Sequence, residues 1–313
     1  MDPDERPSSA TNITISNIKS NIEGRMFDDI NNASTVSTSE KKLPSPLNMP
    51  SDTQKHTEDI LPSPRTPDVP VQTLPKVNCP ERIVICIDVS LAMNERRYRA
   101  KAGTAFSAME IVKRALKLFI NNKQMISNRS KKHVFALVLL LDEALWITDF
   151  TSDTTELFTQ IESLEPLEQH ADTVNMSTLF DLLIDKASVP LVRVSEETPP
   201  PYVVRVILIY GRSHCMPFSN DHESQNLMTG SPYYFMDIVY LHELPSASNQ
   251  CEAIFTELCE LDTRGFSHVF DISRTPTKVF DAFGKLLAHP LQRAVQSQWG
   301  HNLDLVPHSL DGD

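Results

Sequence analysis

The chain has 313 residues, of which 29 are basic and 41 acidic, so its formal net charge is -12 at pH 7. Because nucleic-acid binders use basic side chains to neutralise phosphates, this balance argues against direct binding of DNA or RNA. With 40% hydrophobic and 22% charged residues, the composition is that of a globular protein, and the length allows two domains.

The beginning of the chain has neither a basic start nor an apolar stretch, and no apolar run reaches the ~20 residues that cross a bilayer. We therefore expect no secretory signal, no membrane contact and an intracellular protein. The cysteines are odd in number and never form a C-x-x-C pair, which predicts reduced and mostly buried thiols. They are Cys79, Cys86, Cys215, Cys251 and Cys259.

Residues 1–76 are rich in proline, serine and threonine, with Phe27 as the only aromatic residue. Such a segment cannot bury enough apolar surface to offset the entropy of ordering, so it is predicted to be a disordered tail. It contains three candidate sites for proline-directed phosphorylation, at Ser45, Ser63 and Thr66.

The pattern then changes to apolar runs that alternate with helical periods. Residues 83–89 (IVICIDV) predict a strand buried on both faces, and residues 104–121 predict an amphipathic helix. Residues 134–141 and 144–150 are separated by two acidic residues, Asp142 and Glu143, which favours an antiparallel hairpin.

The second half predicts two short helices, one after the candidate cap at residues 151–153 and one after Ser177, and then two further strands. Those strands are residues 202–210 and 234–242, with a loop predicted between them at residues 217–232. The remaining predicted elements are a helix at 253–261, a strand at 267–272 and a helix at 276–288.

This alternation predicts an α/β fold: a doubly wound, mostly parallel sheet flanked by helices on both faces. We assign this domain to residues 77–288. Residues 289–313, where the chain becomes polar again after Pro290, are predicted to form a second tail.

The most informative short motif is Asp88-Val-Ser90-Leu-Ala92, at the carboxyl end of the first predicted strand. In a doubly wound sheet, ligands bind at that end. The motif resembles the Asp-x-Ser-x-Ser sequence with which von Willebrand factor A domains hold a divalent cation, and the order of elements is similar to that fold. The resemblance implies further oxygen ligands from a distant threonine and from an aspartate after the fourth main strand.

The cation motif is eroded in this chain. Ala92 replaces the second hydroxyl, and Tyr210-Gly-Arg212 stands where the aspartate is expected. We therefore predict no metal and no cofactor, with Asp88 and Ser90 capping the following loop instead. The distant hydroxyl has three candidates, Thr173, Ser177 and Thr178, of which Thr178 is assigned to the degenerate site together with Asp88, Ser90, Ala92 and Tyr210.

Sequence motifs of common enzymes are missing. The eight glycines never form G-x-S-x-G, a phosphate-binding loop or G-x-G-x-x-G, and no H-x-H or H-E-x-x-H occurs. We therefore predict no catalytic residue. An active site too dispersed to appear in one sequence stays open as an alternative.

Three segments carry a resemblance to one family: residues 77–88 (VNCPERIVICID), 199–205 (PPPYVVR) and 286–293 (LLAHPLQR). They resemble the MERIT-type subunits of the BRISC deubiquitinase and of its nuclear BRCA-A relative. The resemblance implies a metal-free von Willebrand A-like scaffold in an assembly whose JAMM-type zinc isopeptidase cleaves lysine-sixty-three-linked ubiquitin chains. This chain lacks the glutamate and H-x-H pair of such an enzyme, so catalysis is expected on a partner.

The resemblance also implies specific partners and settings. The subunit is expected to dock on BRE, which has ubiquitin-conjugating-enzyme-like folds, and to reach Abraxas-type and JAMM subunits through it. The expected settings are the cytoplasm and nucleus, in the DNA-damage response, chromatin regulation, mitosis and receptor deubiquitination.

We predict the BRE contact in the carboxyl-terminal stretch, where Pro290 is expected to end the last helix and apolar anchors follow. Packing of these residues onto their own domain is the alternative. The predicted contact residues are His289, Pro290, Leu291, Gln292, Arg293, Val295 and Trp299.

Two further hypotheses stay open. Lys19-Ser-Asn-Ile-Glu-Gly24 is similar to a tankyrase-recognition segment of some relatives, but Lys19 replaces an arginine whose planar fork an ammonium does not reproduce. The main functional alternative is a von Willebrand A domain that binds its ligand through a cation.

Overall fold

The computed structural model describes residues 76–99, 103–127, 132–167, 173–191 and 199–296. The predicted amino-terminal tail as far as residue 75, its three phosphorylation sites, the Lys19–Gly24 segment and Trp299 lie outside the described residues.

A six-stranded sheet forms the centre of the domain, in the strand order β10-β9-β7-β1-β4-β5. All neighbouring pairs are parallel except β4 and β5, which are antiparallel and have an irregular register near Leu137. This confirms the predicted doubly wound, mostly parallel sheet and its hairpin. The strands are β1 (Glu81–Asp88), β4 (Val134–Leu140), β5 (Ala144–Thr151), β7 (Val203–Tyr210), β9 (Tyr234–His242) and β10 (Val269–Ser273).

Four very short strands form two separate two-stranded pairs beside the main sheet. One pair is β2 (Tyr98–Arg99) with β3 (Ala105–Phe106), and the other is β6 (Thr173–Asn175) with β8 (Met216–Phe218).

Helices cover both faces of the sheet, because alternate residues of the buried strands point in opposite directions. Ile83, Ile85 and Ile87 face a core with one set of helices, while Val84 and Cys86 face the core with the other set. The helices are α1 (Ala108–Ile126), α2 (Thr154–Ser163), α3 (Ser177–Lys186), α4 (Glu223–Thr229), α5 (Cys251–Glu260) and α6 (Pro276–Lys285).

Helix α1 shows how local sequence sets an element boundary. Ser107 accepts a hydrogen bond from the Glu110 N–H, and the Glu110 side chain accepts one from the Ser107 N–H, which together form a capping box. The helix therefore begins at Ala108, later than the predicted residue 104. Met109, Val112, Leu116 and Phe119 of the predicted apolar stripe are buried, whereas Phe106 lies in β3 and is partly exposed. Phe119 packs on Phe283 of α6 with ring centroids 5.8 Å apart.

Several predicted boundaries were wrong. The predicted loop at residues 217–232 contains the end of β8 and all of α4. Ser177 is the first residue of α3 rather than its cap, because the chain already turns at Met176. Helix α6 ends at Lys285, so Pro290 does not terminate it.

The cysteines agree with their prediction, since none of the five forms a disulfide and only Cys259 is partly exposed. Among the described residues, no helix is both long and apolar enough to cross a membrane.

Candidate functional site

The carboxyl end of β1 places Asp88 at the edge of the sheet where ligands of this fold class bind. The carboxylate is fully buried and both of its oxygens are engaged. Oδ1 accepts hydrogen bonds from the Ser90 N–H at 2.9 Å and from Nε of Arg212 at 3.1 Å, while Oδ2 accepts one from the Gly211 N–H at 2.9 Å. The cation that faces Asp88 is therefore the protein's own guanidinium.

Arg212 is only 1% exposed, and protein groups contact its guanidinium on several sides. Its Nη2 donates to the carbonyl of Leu140 at 3.2 Å and to that of Leu141, and its Nη1 lies 3.4 Å from Sγ of Cys215. Burial is the largest single effect and alone would lower the pKa of Arg212, but Asp88, together with Tyr210 and Cys215, outweighs it and raises the pKa overall. The guanidinium thus stays charged at all physiological pH values.

The other residues of the degenerate site do not form a ligand set around Asp88. Ala92 lies in a 3₁₀ turn at residues 91–94, and Thr178 Oγ1 donates to the Asn175 carbonyl at 2.8 Å while accepting from the Ala144 N–H at 3.0 Å. The Tyr210 hydroxyl donates to the carbonyl of Cys215.

Ser90 is the one member that keeps a feature of a cation site. Its Oγ is buried without a hydrogen-bond partner. One hydroxyl beside a carboxylate that is already neutralised by Arg212 does not fit the six oxygen ligands that Mg²⁺ requires. In the part of the chain that the structure describes, no group of three or more His, Cys, Asp or Glu side chains is placed to hold a metal.

Arg97 connects the loops at this end, and no sequence motif pointed to it. Its Nη2 donates to the carbonyls of Gly211 at 2.9 Å and Ala92 at 3.3 Å. A side chain at Gly211 would also collide with Met93, whose Sδ would lie 2.1 Å from the added Cβ. We call this end of the sheet, with Asp88, Ser90, Arg97, Gly211 and Arg212, the upper rim. Its residues are closely packed around the Asp88–Arg212 pair.

A second cluster of buried charges lies toward the amino ends of the strands, and we call it the lower charge cluster. It consists of Glu81, Lys123, Arg205, Asp237 and Arg293, all of which are buried or nearly so. Glu81 pairs with Lys123 and, at 3.0 Å, with Nη1 of Arg205. Asp237 accepts from Nε of Arg205 at 2.8 Å and from Nη1 of Arg293 at 2.9 Å.

The lower charge cluster keeps its carboxylates ionised. Burial alone would raise the pKa of Glu81, but Lys123, Arg205 and nearby histidines lower it to about 2. Burial likewise opposes ionisation of Asp237, yet Arg293 and Arg205 lower its pKa below the usual range. Each carboxylate has two cationic partners, so the cluster is paired throughout.

Two histidines beside this cluster are held neutral. Burial, reinforced by Lys123 and Arg205, lowers the pKa of His289 to about 4, and burial with Arg293 lowers that of His268 to about 4. His289 Nε2–H donates to the Cys79 carbonyl at 3.0 Å, while its Nδ1 accepts from the Leu291 N–H at 3.2 Å. A proton on Nδ1 would break the second bond.

The predicted partner-binding stretch is largely folded onto its own domain. His289 and Pro290 are buried, Leu291 is 2% exposed beside Val203 and Phe235, and Arg293 reaches Asp237. The side chains of these four residues face inward, as in the alternative of packing onto their own domain, while the partner contact of the stretch stays a prediction. The described part of the predicted tail, residues 289–296, therefore packs on the domain.

The remaining predicted contact residues differ in position. Gln292 is exposed and Val295 is partly exposed, whereas Trp299 lies outside the described residues. The outer side of residues 289–296 is thus the part that a partner could reach.

The lower charge cluster had a signal in the sequence. Arg205 and Asp237 are single charges inside otherwise apolar runs, VVRVILIY and YFMDIVYLH. A charge in a strand buried on both faces requires an opposite charge nearby, so these two residues could have been paired from sequence. Arg293 carried no such signal, since it lies in a polar segment.

Comparisons with known proteins give consistent relatives. The chain is 34% identical over 245 residues to "BRISC and BRCA1-A complex member 1" of Homo sapiens, covering 77% of this chain and 73% of the relative. It is 32% identical over 256 residues to the protein of that name from Danio rerio, covering 77% and 68% of the two chains. No family model matches the chain.

Similar solved structures are von Willebrand factor A domains and related proteins. A "von Willebrand factor type A" from Catenulispora acidiphila is 14% identical, with a TM-score of 0.44, covering 68% of this chain and 43% of that one. BatB from Bacteroides thetaiotaomicron is 12% identical, also with a TM-score of 0.44, covering 66% and 98%. The doubly wound, mostly parallel order of the main sheet agrees with the predicted fold class.

Proposed function

The chain belongs to the family of BRISC and BRCA1-A complex member 1, and from that premise we propose that it is a non-catalytic scaffold subunit of a deubiquitinase assembly. The observation that carries the proposal is the 34% identity over 245 residues, which spans most of both chains. The names of these relatives place them in two complexes. Subunit function in such a complex is therefore the simplest role for a domain of this family.

The assembly that we propose cleaves lysine-sixty-three-linked ubiquitin chains through a JAMM-type zinc isopeptidase. This chain binds BRE and stabilises the complex, and BRE in turn connects it to the Abraxas-type and JAMM subunits. The proposed settings are the cytoplasm and nucleus, in the DNA-damage response and repair, chromatin regulation, cell division and receptor deubiquitination.

The upper rim supports a role that uses no cation. Arg212 neutralises Asp88 from inside the protein, and the two Asp88 oxygens already accept three hydrogen bonds. A cation that binds there would have to displace a buried guanidinium held by the carbonyls of Leu140 and Leu141. This arrangement makes the cation-dependent alternative unfavourable.

We place the BRE contact on the outer side of residues 289–296, which refines the position expected from sequence. The inward side chains of Leu291 and Arg293 fix the segment to the domain. Gln292 and Val295 then face away from the core. Because the segment is held in place before binding, a partner would lose little entropy in ordering it.

A pull-down with BRE tests this contact. Val295→Asp is expected to reduce retained BRE at least about tenfold, because a carboxylate would be desolvated in the interface. Leu227→Asp is the matched control, since Leu227 is 63% exposed on α4 and lies outside the proposed contact. Equal BRE binding by Val295→Asp, Gln292→Asp and the control would contradict the contact.

Reconstitution tests the scaffold role itself. The purified chain alone is expected to leave lysine-sixty-three-linked ubiquitin chains intact, whereas adding it to BRE, Abraxas-type and JAMM subunits is expected to raise the yield of the assembled complex. Cleavage by the isolated chain would favour the dispersed-active-site alternative. An assembly that forms equally well without this chain would reject the scaffold role.

A further inference from the structure

One edge of the main sheet is open at β10, which pairs with β9 on one side only. The Ile238 N–H donates to the His268 carbonyl at 2.8 Å, and this bond determines which residues of β10 pair with β9. Because main-chain groups alternate along a strand, those of Phe270 and Ile272 face β9, while those of Val269 and Asp271 face the open side.

The first position of this open edge is already paired, and by a side chain. Gln296 Oε1 accepts from the Val269 N–H at 2.8 Å, and Gln296 Nε2 donates to the Val269 carbonyl at 2.8 Å. The side-chain amide thus makes the two bonds that a peptide group of an added strand would make. The next outward-facing position is Asp271.

The carboxyl-terminal segment of the chain runs beside this edge, parallel to β10. Arg293 donates to the Phe266 carbonyl at 2.9 Å, His268 Nε2 donates to the Ala294 carbonyl at 3.2 Å, and Gln296 then reaches Val269. Residues 293–296 therefore advance along the chain beside residues 266–269. Continued in that direction, the following residues would pass Asp271.

A cleft of about 280 Å³ lies along the same edge. Phe255 of α5 lines one wall, Ala282 and Lys285 of α6 line another, and Phe270 and Gln296 complete the rim. The two phenylalanines are only partly buried. The cleft thus offers aromatic surface beside the outward-facing main chain of Asp271, which is the arrangement that β-strand addition uses.

We propose that the β10 edge is a docking site for the carboxyl-terminal residues of this same chain, with residues 297–301 added as a parallel strand and Trp299 placed in the cleft. Five extended residues span about 16 Å, which is enough to follow β10 to its end. Trp299 is the only large apolar side chain among them and would bury its ring in the cleft. The proposal assigns Trp299 to this edge instead of to the predicted BRE contact, and it leaves the proposed contact at residues 289–296 unchanged.

Amide hydrogen exchange on the full chain tests this proposal. We expect the Asp271 amide to exchange slowly in the full chain, and at least about tenfold faster in a chain that ends at Gln296. The amides of Phe270 and Ile272, which face β9, serve as internal controls and should not change. A synthetic peptide of residues 297–313 should restore slow exchange when it is added to the shortened chain.

Three results would overturn the proposal. They are fast exchange of Asp271 in the full chain, slow exchange that depends on protein concentration and so indicates a second copy, and slow exchange only with BRE present. If the shortened chain fails to fold, Trp299 fluorescence in the full-length Trp146→Phe variant decides instead. Trp299 should then be shielded from acrylamide at least about threefold relative to the free peptide, and equal quenching would reject the contact.

Discussion

The two ends of the sheet hold buried charges in different ways. At the carboxyl end, Asp88 has one cationic partner and two main-chain N–H donors. At the amino end, two carboxylates are shared among three cations, one of which, Arg293, comes from the carboxyl-terminal segment. The first arrangement closes a cation position within the domain, and the second fastens a distant segment to it.

The role of a buried ion pair therefore depends on where its two partners lie in the chain. Asp88 ends β1 and Arg212 lies in the loop after β7 at the same end of the sheet, so their pairing fills a space that a metal would otherwise require. Asp237 and Arg293 lie on a central strand and on the terminal segment, so their pairing decides where that segment runs.

The largest effect is expected from Asp237→Ala, because two buried guanidiniums, those of Arg205 and Arg293, would lose their shared carboxylate. The free energy of unfolding should fall by about 3–5 kcal/mol, measured by urea denaturation. Asp281→Ala on the exposed surface of α6 is the control and should change it by less than about 0.5 kcal/mol. A loss below about 1 kcal/mol for Asp237→Ala would contradict the lower charge cluster as described.

A smaller loss is expected from Arg212→Met at the other end. Asp88 would stay buried without its cation but would keep the N–H donors of Ser90 and Gly211, so we expect a loss of about 2–3 kcal/mol. Arg96→Met is the matched control, since the Arg96 side chain is 65% exposed in its pair with Glu110 and should cost less than about 1 kcal/mol. A larger loss at Arg212 than at Asp237 would reverse the comparison.

Lowering the pH should reduce the free energy of unfolding through two buried histidines at the amino end of the sheet, His268 and His289. The pKa values of His268 and His289 are lowered from 6.5 to about 4 in the folded chain, so between these values the unfolded state binds more protons. The stability that these neutral histidines contribute is present above pH 6.5 and is lost as the pH falls toward 4. Allowing for solvent screening, we expect a loss on the order of 2 kcal/mol between about pH 7 and about pH 5.

Variants separate this effect from general acid sensitivity. The double variant His268→Gln, His289→Gln should have a flatter dependence of unfolding free energy on pH in that window. His214→Gln, on the exposed rim, should keep the dependence of the original chain. A double variant with an unchanged pH dependence would show that other groups are responsible.

The smallest effect is expected from divalent cations at the carboxyl end. Addition of about 10 mM Mg²⁺ or Mn²⁺ should shift the Tm by less than about 1 °C, since no binding to the folded state means no stabilisation. The same titration on Arg212→Met tests whether the guanidinium alone excludes the cation, because a rise in Tm for this variant would mean that it does. A clear rise in Tm for the original chain would restore the cation-dependent alternative.

Much of the fold could be predicted because its signals are local. The apolar run of β1 and the apolar stripe of α1 each indicate burial from a short stretch of sequence. The Asp88 motif and Arg212 likewise indicated that the cation motif is eroded. The start of α1 was missed although Ser107 and Glu110 have the S-x-x-E spacing of a capping box, so that boundary could have been predicted from sequence. Helix α4 was missed because seven polar and apolar residues carry little periodicity.

The inward packing of the terminal segment was only an alternative at the level of sequence, for a different reason. Arg293 and Asp237 are far apart in the chain, and a polar segment after a proline resembles an exposed tail. The contact became evident only when the sheet order placed Asp237 on a central strand beside Arg205. Long-range pairing of this kind depends on the whole topology, which sequence patterns describe only in outline.

The position of Arg293 also bears on how the protein is made. All six strands of the main sheet that the structure describes precede this residue in the chain, so a nascent polypeptide emerges from the ribosome with Asp237 before its second guanidinium is available. Until Arg293 is synthesised, Asp237 has the guanidinium of Arg205 and the main-chain N–H of His268 as partners. A premature stop codon just upstream of Arg293 would therefore leave these six strands with an incompletely neutralised interior, and such a product would be a substrate for quality-control proteases.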